Sequence, residues 1–86
     1  MRLRFSGRVQ GVSFRQFVRN RSGPLGIGGY VRNLPDGTVE AELEGEPVAL
    51  AELERVLREE HPLARIDHVE REAIPNQGSR PPVQVR

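Results

Sequence analysis

The chain has 86 residues, enough for one small domain and too few for two, with about 60% of the unfolded surface available for burial at this size. Hydrophobic residues make up 36% and charged ones 29%, and no apolar run approaches the roughly 20 residues that cross a bilayer, which excludes a helical membrane protein. The net charge of +1 conceals an asymmetry: Met1 to Pro35 holds seven Arg and no acid, whereas Asp36 to Arg86 holds six Arg against twelve Asp and Glu, so the halves carry +7 and −6.

All thirteen basic residues are Arg. Without Lys there is no amine nucleophile, no Schiff base and no phosphate-binding Lys, which removes the GxxxxGK[ST] nucleotide loop. Without Cys there is no disulfide framework, thiolate nucleophile or zinc-finger ligand set. No apolar signal segment follows Met1, so a cytoplasmic location is expected and the Asn20-Arg21-Ser22 sequon is read as accidental.

In Arg2 to Ser6, Leu3 and Phe5 alternate with polar residues, the pattern of a strand with one buried face. Gly7 to Gly11 interrupts it as a glycine-bounded loop. Ser13 then reads as an N-cap with Gln16 closing a capping box, and Val12 is placed to staple against Phe17. The helix is expected to carry Phe14, Phe17 and Val18 inward and to stop near Ser22, because Gly23-Pro24 denies the helical region to Gly23 and a donor to Pro24. At about nine residues it needs packing to hold it.

Tyr30 to Leu34 reads as a second strand, and Pro35-Asp36-Gly37 as a turn. Thr38 to Glu44 follows, with Val39, Ala41 and Leu43 on one face and Glu40, Glu42 and Glu44 on a solvated one. Pro47 to Glu60 is a helix with Pro at its start, a stripe of Leu50, Leu53 and Leu57 with Val56, and a Glu54 to Arg58 pair. Ile66 to Glu72 is a strand of imperfect phase, since Ile66 and Val69 fall on opposite faces of an ideal strand, a misfit that a bulge would accommodate. Val83 to Arg86 reads as a short edge strand. The order strand, helix, strand, strand, helix, strand predicts an α+β fold of ferredoxin-like split βαβ type, an antiparallel sheet with two helices on one face, in a single domain over residues 1–86.

The stretch Gly7-Arg8-Val9-Gln10-Gly11-Val12-Ser13-Phe14-Arg15 carries the chemistry. A glycine-bounded loop entering a helix N-terminus turns successive N–H groups toward one point and forms an anion-binding nest. Arg15 falls at the second helical position, where a cation faces the positive end of the helix dipole. That broken rule points to a guanidinium needed to complete an anion site.

Phe5 to Arg15 resembles the first signature of the acylphosphatase family, GxVQGVxFR. Gly29-Tyr30-Val31-Arg32-Asn33-Leu34-Pro35-Asp36-Gly37-Thr38-Val39, with Gly45 further on, resembles its second. The resemblance implies hydrolysis of the carboxyl-phosphate anhydride of small acyl phosphates without metal or cofactor. By it, Arg15 matches the catalytic phosphate-binding arginine, Asn33 the asparagine that positions the attacking water, and Arg8, Val9, Gln10, Gly11 and Val12 the phosphate-cradling loop. The sequence departs from the family at Ser22-Gly23-Pro24, where good helix formers are usual, and at Val83, where an aromatic residue is usual.

His61 and His68 lie on different elements, which argues against a metal pair. The expected partner is a small acyl phosphate, with no nucleic acid and no membrane, and the expected state is a monomer. Two rivals remain open: a carbamoyl-phosphate-specific domain of the kind found in a hydrogenase-maturation carbamoyltransferase, and a non-catalytic module binding nucleic acid or another anion through the Arg-rich half. The second predicts binding that weakens steeply with salt.

Overall fold

A computed structural model describes residues 1–86. The elements run β1 (Arg2–Arg8), α1 (Phe14–Ser22), a 3₁₀ turn (Gly23–Leu25), β2 (Gly28–Asn33), β3 (Val39–Glu44), α2 (Pro47–Glu59), β4 (Arg65–Glu72) and β5 (Gln84–Val85). The sheet order is β4-β1-β3-β2-β5, antiparallel throughout except that β5 lies parallel to β2. This is the predicted ferredoxin-like arrangement with a short strand added at one edge.

Period two in β1 and β3 sends Leu3, Phe5, Val39, Ala41 and Leu43 to the helix-covered face, where all are buried. Phe14 and Val18 of α1 and Leu53, Val56 and Leu57 of α2 are buried as well. The Phe5 and Phe14 rings meet edge to face at 5.4 Å, locking the start of α1 onto the central strands. Between β1 and β4 the register shifts from Ser6↔His68 to Gly7↔Ile66, so Asp67 is the extra residue of the predicted bulge.

Three expectations need correction. Gly23 is αR, with φ −55° and ψ −55°. The chain continues into the 3₁₀ turn because Gly26 N–H bonds to the Gly23 carbonyl at 3.0 Å and Ile27 N–H to that of Ser22 at 3.1 Å. These bonds outweigh the preference of a residue before proline for extended backbone, and Gly26, at φ 70°, ends the turn instead. The capping box does not form. Ser13 sits at the N-cap position, but in the left-handed region (φ 60°, ψ 29°) with no side-chain cap, and Gln16 Nε2 donates to Asn20 Oδ1.

The third correction concerns the outer face of β3, which is paired rather than merely solvated. Glu42 accepts from Arg2 and Glu40 from Arg32, while Arg2 also reaches Glu72 and Arg4 reaches Glu70. Tyr30 lies on the same face between Glu40 and Glu42. With Arg21 bound to Glu60, four of the seven arginines of the basic half are matched to carboxylates of the acidic half across the fold. Arg8, Arg15 and Arg19 have no Asp or Glu within ion-pair distance.

Candidate active site

β1 and α1 are joined by the loop Val9 to Ser13, and Asn33 ends β2 beside it. Val9 and Val12 are 1% and 6% exposed, so their side chains pin the loop into the core while Gly11 between them turns outward at φ 74°. With Ser13 also left-handed, the backbone reverses twice within three residues, the alternation that gathers N–H groups on one side. The first helical bond runs from Phe17 N–H to the Ser13 carbonyl at 3.1 Å. The N–H groups of Phe14, Arg15 and Gln16 therefore have no intrahelical acceptor. Because Ser13 does not cap them, they stay open to a ligand.

A cleft of about 410 Å³ lies over this helix end, lined by Val9, Gly11, Ser13, Phe14, Arg15, Gln16, Asn33 and Val85. Arg15 and Asn33, on different elements, are thus brought to one cavity. Arg15 is half-buried and Asn33 exposed, and Arg15 Nη1 donates to the Arg86 main-chain oxygen at 2.6 Å. Of the five loop residues singled out from sequence, Val9 and Gly11 line the cleft, whereas Arg8, Gln10 and Val12 do not. Gln10 spends its side-chain amide on the carbonyls of Leu34 and Thr38, both at 2.9 Å. It thereby ties the loop to the β2–β3 turn just beyond Asn33, and only its main chain is left for a ligand.

Sequence reasoning did not single out Ser13, Phe14, Gln16 or Val85 as site residues. Ser13 stands inside the first signature and was read as a cap. Val85 arrives through a parallel pairing, Val31↔Val85, for which a two-residue strand carries no periodic signal.

His61 Nδ1 accepts the N–H groups of Leu63 and Ala64 at 3.0 and 2.9 Å, and its ring lies 4.7 Å from that of Phe17, a structural role. No three His, Asp or Glu side chains are grouped so as to hold a metal ion, and no helix is long and apolar enough to cross a membrane. A second depression of about 410 Å³ lies on the opposite face against Tyr30, Glu42, Glu44 and Arg80. Its carboxylates are already taken, Glu42 by Tyr30 and Arg2, and Glu44 by the N–H groups of Gln77 and Ser79.

Sheet order, helix placement and an uncapped, anion-ready helix start beside an arginine without an Asp or Glu partner define a ferredoxin-like α+β protein with a polar cleft at that helix end. The acylphosphatase family profile matches residues 1–82. The acylphosphatase of Rubrobacter xylanophilus is 50% identical over all 86 residues, which span 78% of that protein. The crystal structure of the Bacillus subtilis acylphosphatase superposes with a TM-score of 0.88 at 30% identity, covering 99% of this chain and 94% of that one. The HypF structure from T. kodakarensis superposes at 0.85 and 35% identity, covering 99% of this chain and 11% of that much longer one. The chain belongs to the acylphosphatase family and is a hydrolase acting on acyl phosphates.

Proposed function

We propose that this cleft hydrolyses small acyl phosphates by in-line attack of a water held by Asn33 on a phosphoryl group bound by Arg15 and the main chain of residues 8–12. The reading needs no metal or cofactor, and treats the 86 residues as one monomeric, cytoplasmic catalytic unit. The observation that carries it is Arg15: a half-buried guanidinium with no Asp or Glu partner, held by one hydrogen bond to the Arg86 main-chain oxygen, beside three uncommitted helix N–H groups, in the cleft that Asn33 also lines.

The chemistry asks little else of the protein. The phosphorus–oxygen bond to the acyl group breaks, the water oxygen bonds to phosphorus, and both water protons end on the phosphate while the acyl group leaves as carboxylate. A loose, metaphosphate-like transition state gains most from stabilisation of its equatorial oxygens and from alignment of the nucleophile. A carboxylate leaves without protonation, so no general acid is required. A neutral amide orients water without acting as a base, which leaves both His free for other roles.

The pairing of Arg2, Arg4, Arg21 and Arg32 with carboxylates favours a small anion over a polyanion, because it removes most of the basic half from the surface field. The deciding measurement is turnover of benzoyl phosphate by the folded protein in excess chelator. Hydrolysis unaffected by chelator is expected; absence of turnover overturns the catalytic reading, and chelator-sensitive turnover overturns its independence of metal.

A further inference from the structure

Ser22 is the last residue of α1 and the only polar side chain among the buried residues, at 0% exposure. Its hydroxyl is used twice: Oγ donates to the Arg19 carbonyl at 2.9 Å and accepts the Val83 N–H at 3.0 Å, across 61 residues of sequence. Val83 is itself fully buried, immediately before β5. Three residues further on, Arg86 N–H bonds to the Val31 carbonyl at 2.9 Å and the Arg86 main-chain oxygen accepts Arg15 Nη1 at 2.6 Å.

One helix therefore grips one strand at both ends. Arg15 and Ser22 are seven residues apart on α1, about 10.5 Å at the helical rise, and Val83 and Arg86 are three apart, about 10 Å at the strand rise. The two spacings agree, so both hydrogen bonds form without distorting either element. We propose that Ser22 is a positioning residue for the hydrolysis, holding β5 in the register that presents the Arg86 oxygen to Arg15. This rests on the assignment of Arg15 to the phosphoryl group.

The anchoring has a physical purpose. A guanidinium has five N–H donors in a rigid fork. Spending one on a fixed main-chain oxygen sets the plane of the fork and leaves the others for phosphoryl oxygens. Besides Ser22, the register of β5 rests on the buried Val83 side chain, a pairing with β2 only two residues long and the Arg86 N–H bond to Val31. Residues 73–82 leading into β5 have no regular structure and are exposed apart from Ile74, which is half-buried. Over β2 the segment passes so close to Gly28 that a Cβ there would lie 2.6 Å from the Ser79 oxygen.

The test is Ser22→Ala, assayed well below its unfolding temperature with benzoyl phosphate as substrate and inorganic phosphate as competitor. We expect KM and the phosphate Ki to rise by about tenfold, short of the roughly 10²-fold that a 1 Å misplacement costs, with faster amide exchange at Val83 and Arg86. A merely structural Ser22 would lower the melting temperature and leave the Ki of the folded enzyme unchanged, and that result overturns the proposal. If Ser22→Ala fails to fold, Gly28→Ala displaces the same segment from the β2 side; a folded Gly28→Ala protein is expected to show the same rise in Ki, and an unchanged Ki there overturns the proposal equally. Arg15→Lys is assayed in parallel. If it retains wild-type activity the assignment of Arg15 itself fails, whereas an impaired Arg15→Lys beside an unimpaired Ser22→Ala rejects only the role of Ser22.

Discussion

The Tyr30 hydroxyl lies 2.6 Å from Glu42 Oε2, and 2.7 Å on its other side stands Glu40 Oε1. The single phenol proton is thus offered to either of two carboxylates that alternate along β3, with Arg2 and Arg32 closing the row at either end. Tyr30→Phe removes the donor and leaves two half-buried carboxylates facing an apolar edge. The expected loss of stability is about 1.5 to 3 kcal/mol, the range for hydrogen bonds to charged groups. Urea unfolding measures it, and a loss below about 0.5 kcal/mol would mean that the arginines alone hold the row together.

The same row predicts acid sensitivity. The Tyr30 hydroxyl, with Arg2, holds the Glu42 carboxyl below its ordinary value. For Glu40, burial pushes the carboxyl up, and Tyr30 and Arg32 together outweigh it. Depressed folded values mean stability that is complete above the ordinary carboxylate value of 4.5 and lost as pH falls through the folded values. The urea midpoint should be level from pH 7 to 5 and fall below that, less steeply in Tyr30→Phe. A midpoint that holds or rises down to pH 3 would contradict this.

Arg15→Lys should lower kcat/KM by about 10² to 10⁴, since an ammonium cannot supply the planar fork to two phosphoryl oxygens. Its stability should change little, because Arg15 pairs with no Asp or Glu and an ammonium can still donate to the Arg86 oxygen. Near-wild-type kinetics would take Arg15 out of the reaction.

Asn33→Ala should reduce kcat while inorganic phosphate still competes with near-normal affinity, the pattern of a lost interaction with the nucleophile. The side chain is exposed at the end of β2, so folding should survive. If phosphate affinity falls and kcat stays, Asn33 belongs to the cradle instead.

Much of this architecture is legible in the amino-acid order because burial on one face imposes a period. The Val39, Ala41, Leu43 alternation assigns the faces of β3, and the misfit of Ile66 and Val69 reveals the bulge at Asp67. What is not legible depends on contacts distant in sequence. Ser13 has the chemistry of a cap, yet the buried Val9 and Val12 on either side of Gly11 determine how the loop enters the helix, and the cap is lost. Gly23 obeys bonds closed by Gly26 and Ile27 rather than the proline beside it. The outer carboxylates of β3 read as solvated because their arginine partners stand on other strands. The cleft shows the same division: Arg15 is conspicuous as a misplaced cation, while Val85 enters through a pairing that two residues cannot announce.

The order β4-β1-β3-β2-β5 places β1 between two strands that come much later in the sequence. Arg2 pairs with Glu42 on one side and with Glu72 on the other, so β1 cannot acquire its second neighbour until the chain has been made as far as Glu72. Contacts that span most of the sequence slow folding, since loop-closure entropy is lost before they form. On the ribosome the nascent β1 waits with both edges open, a state prone to pairing with other chains. Arg2 and Arg4, alternating with Leu3 and Phe5, keep that waiting strand charged on one face and discourage association in the interval before β4 arrives.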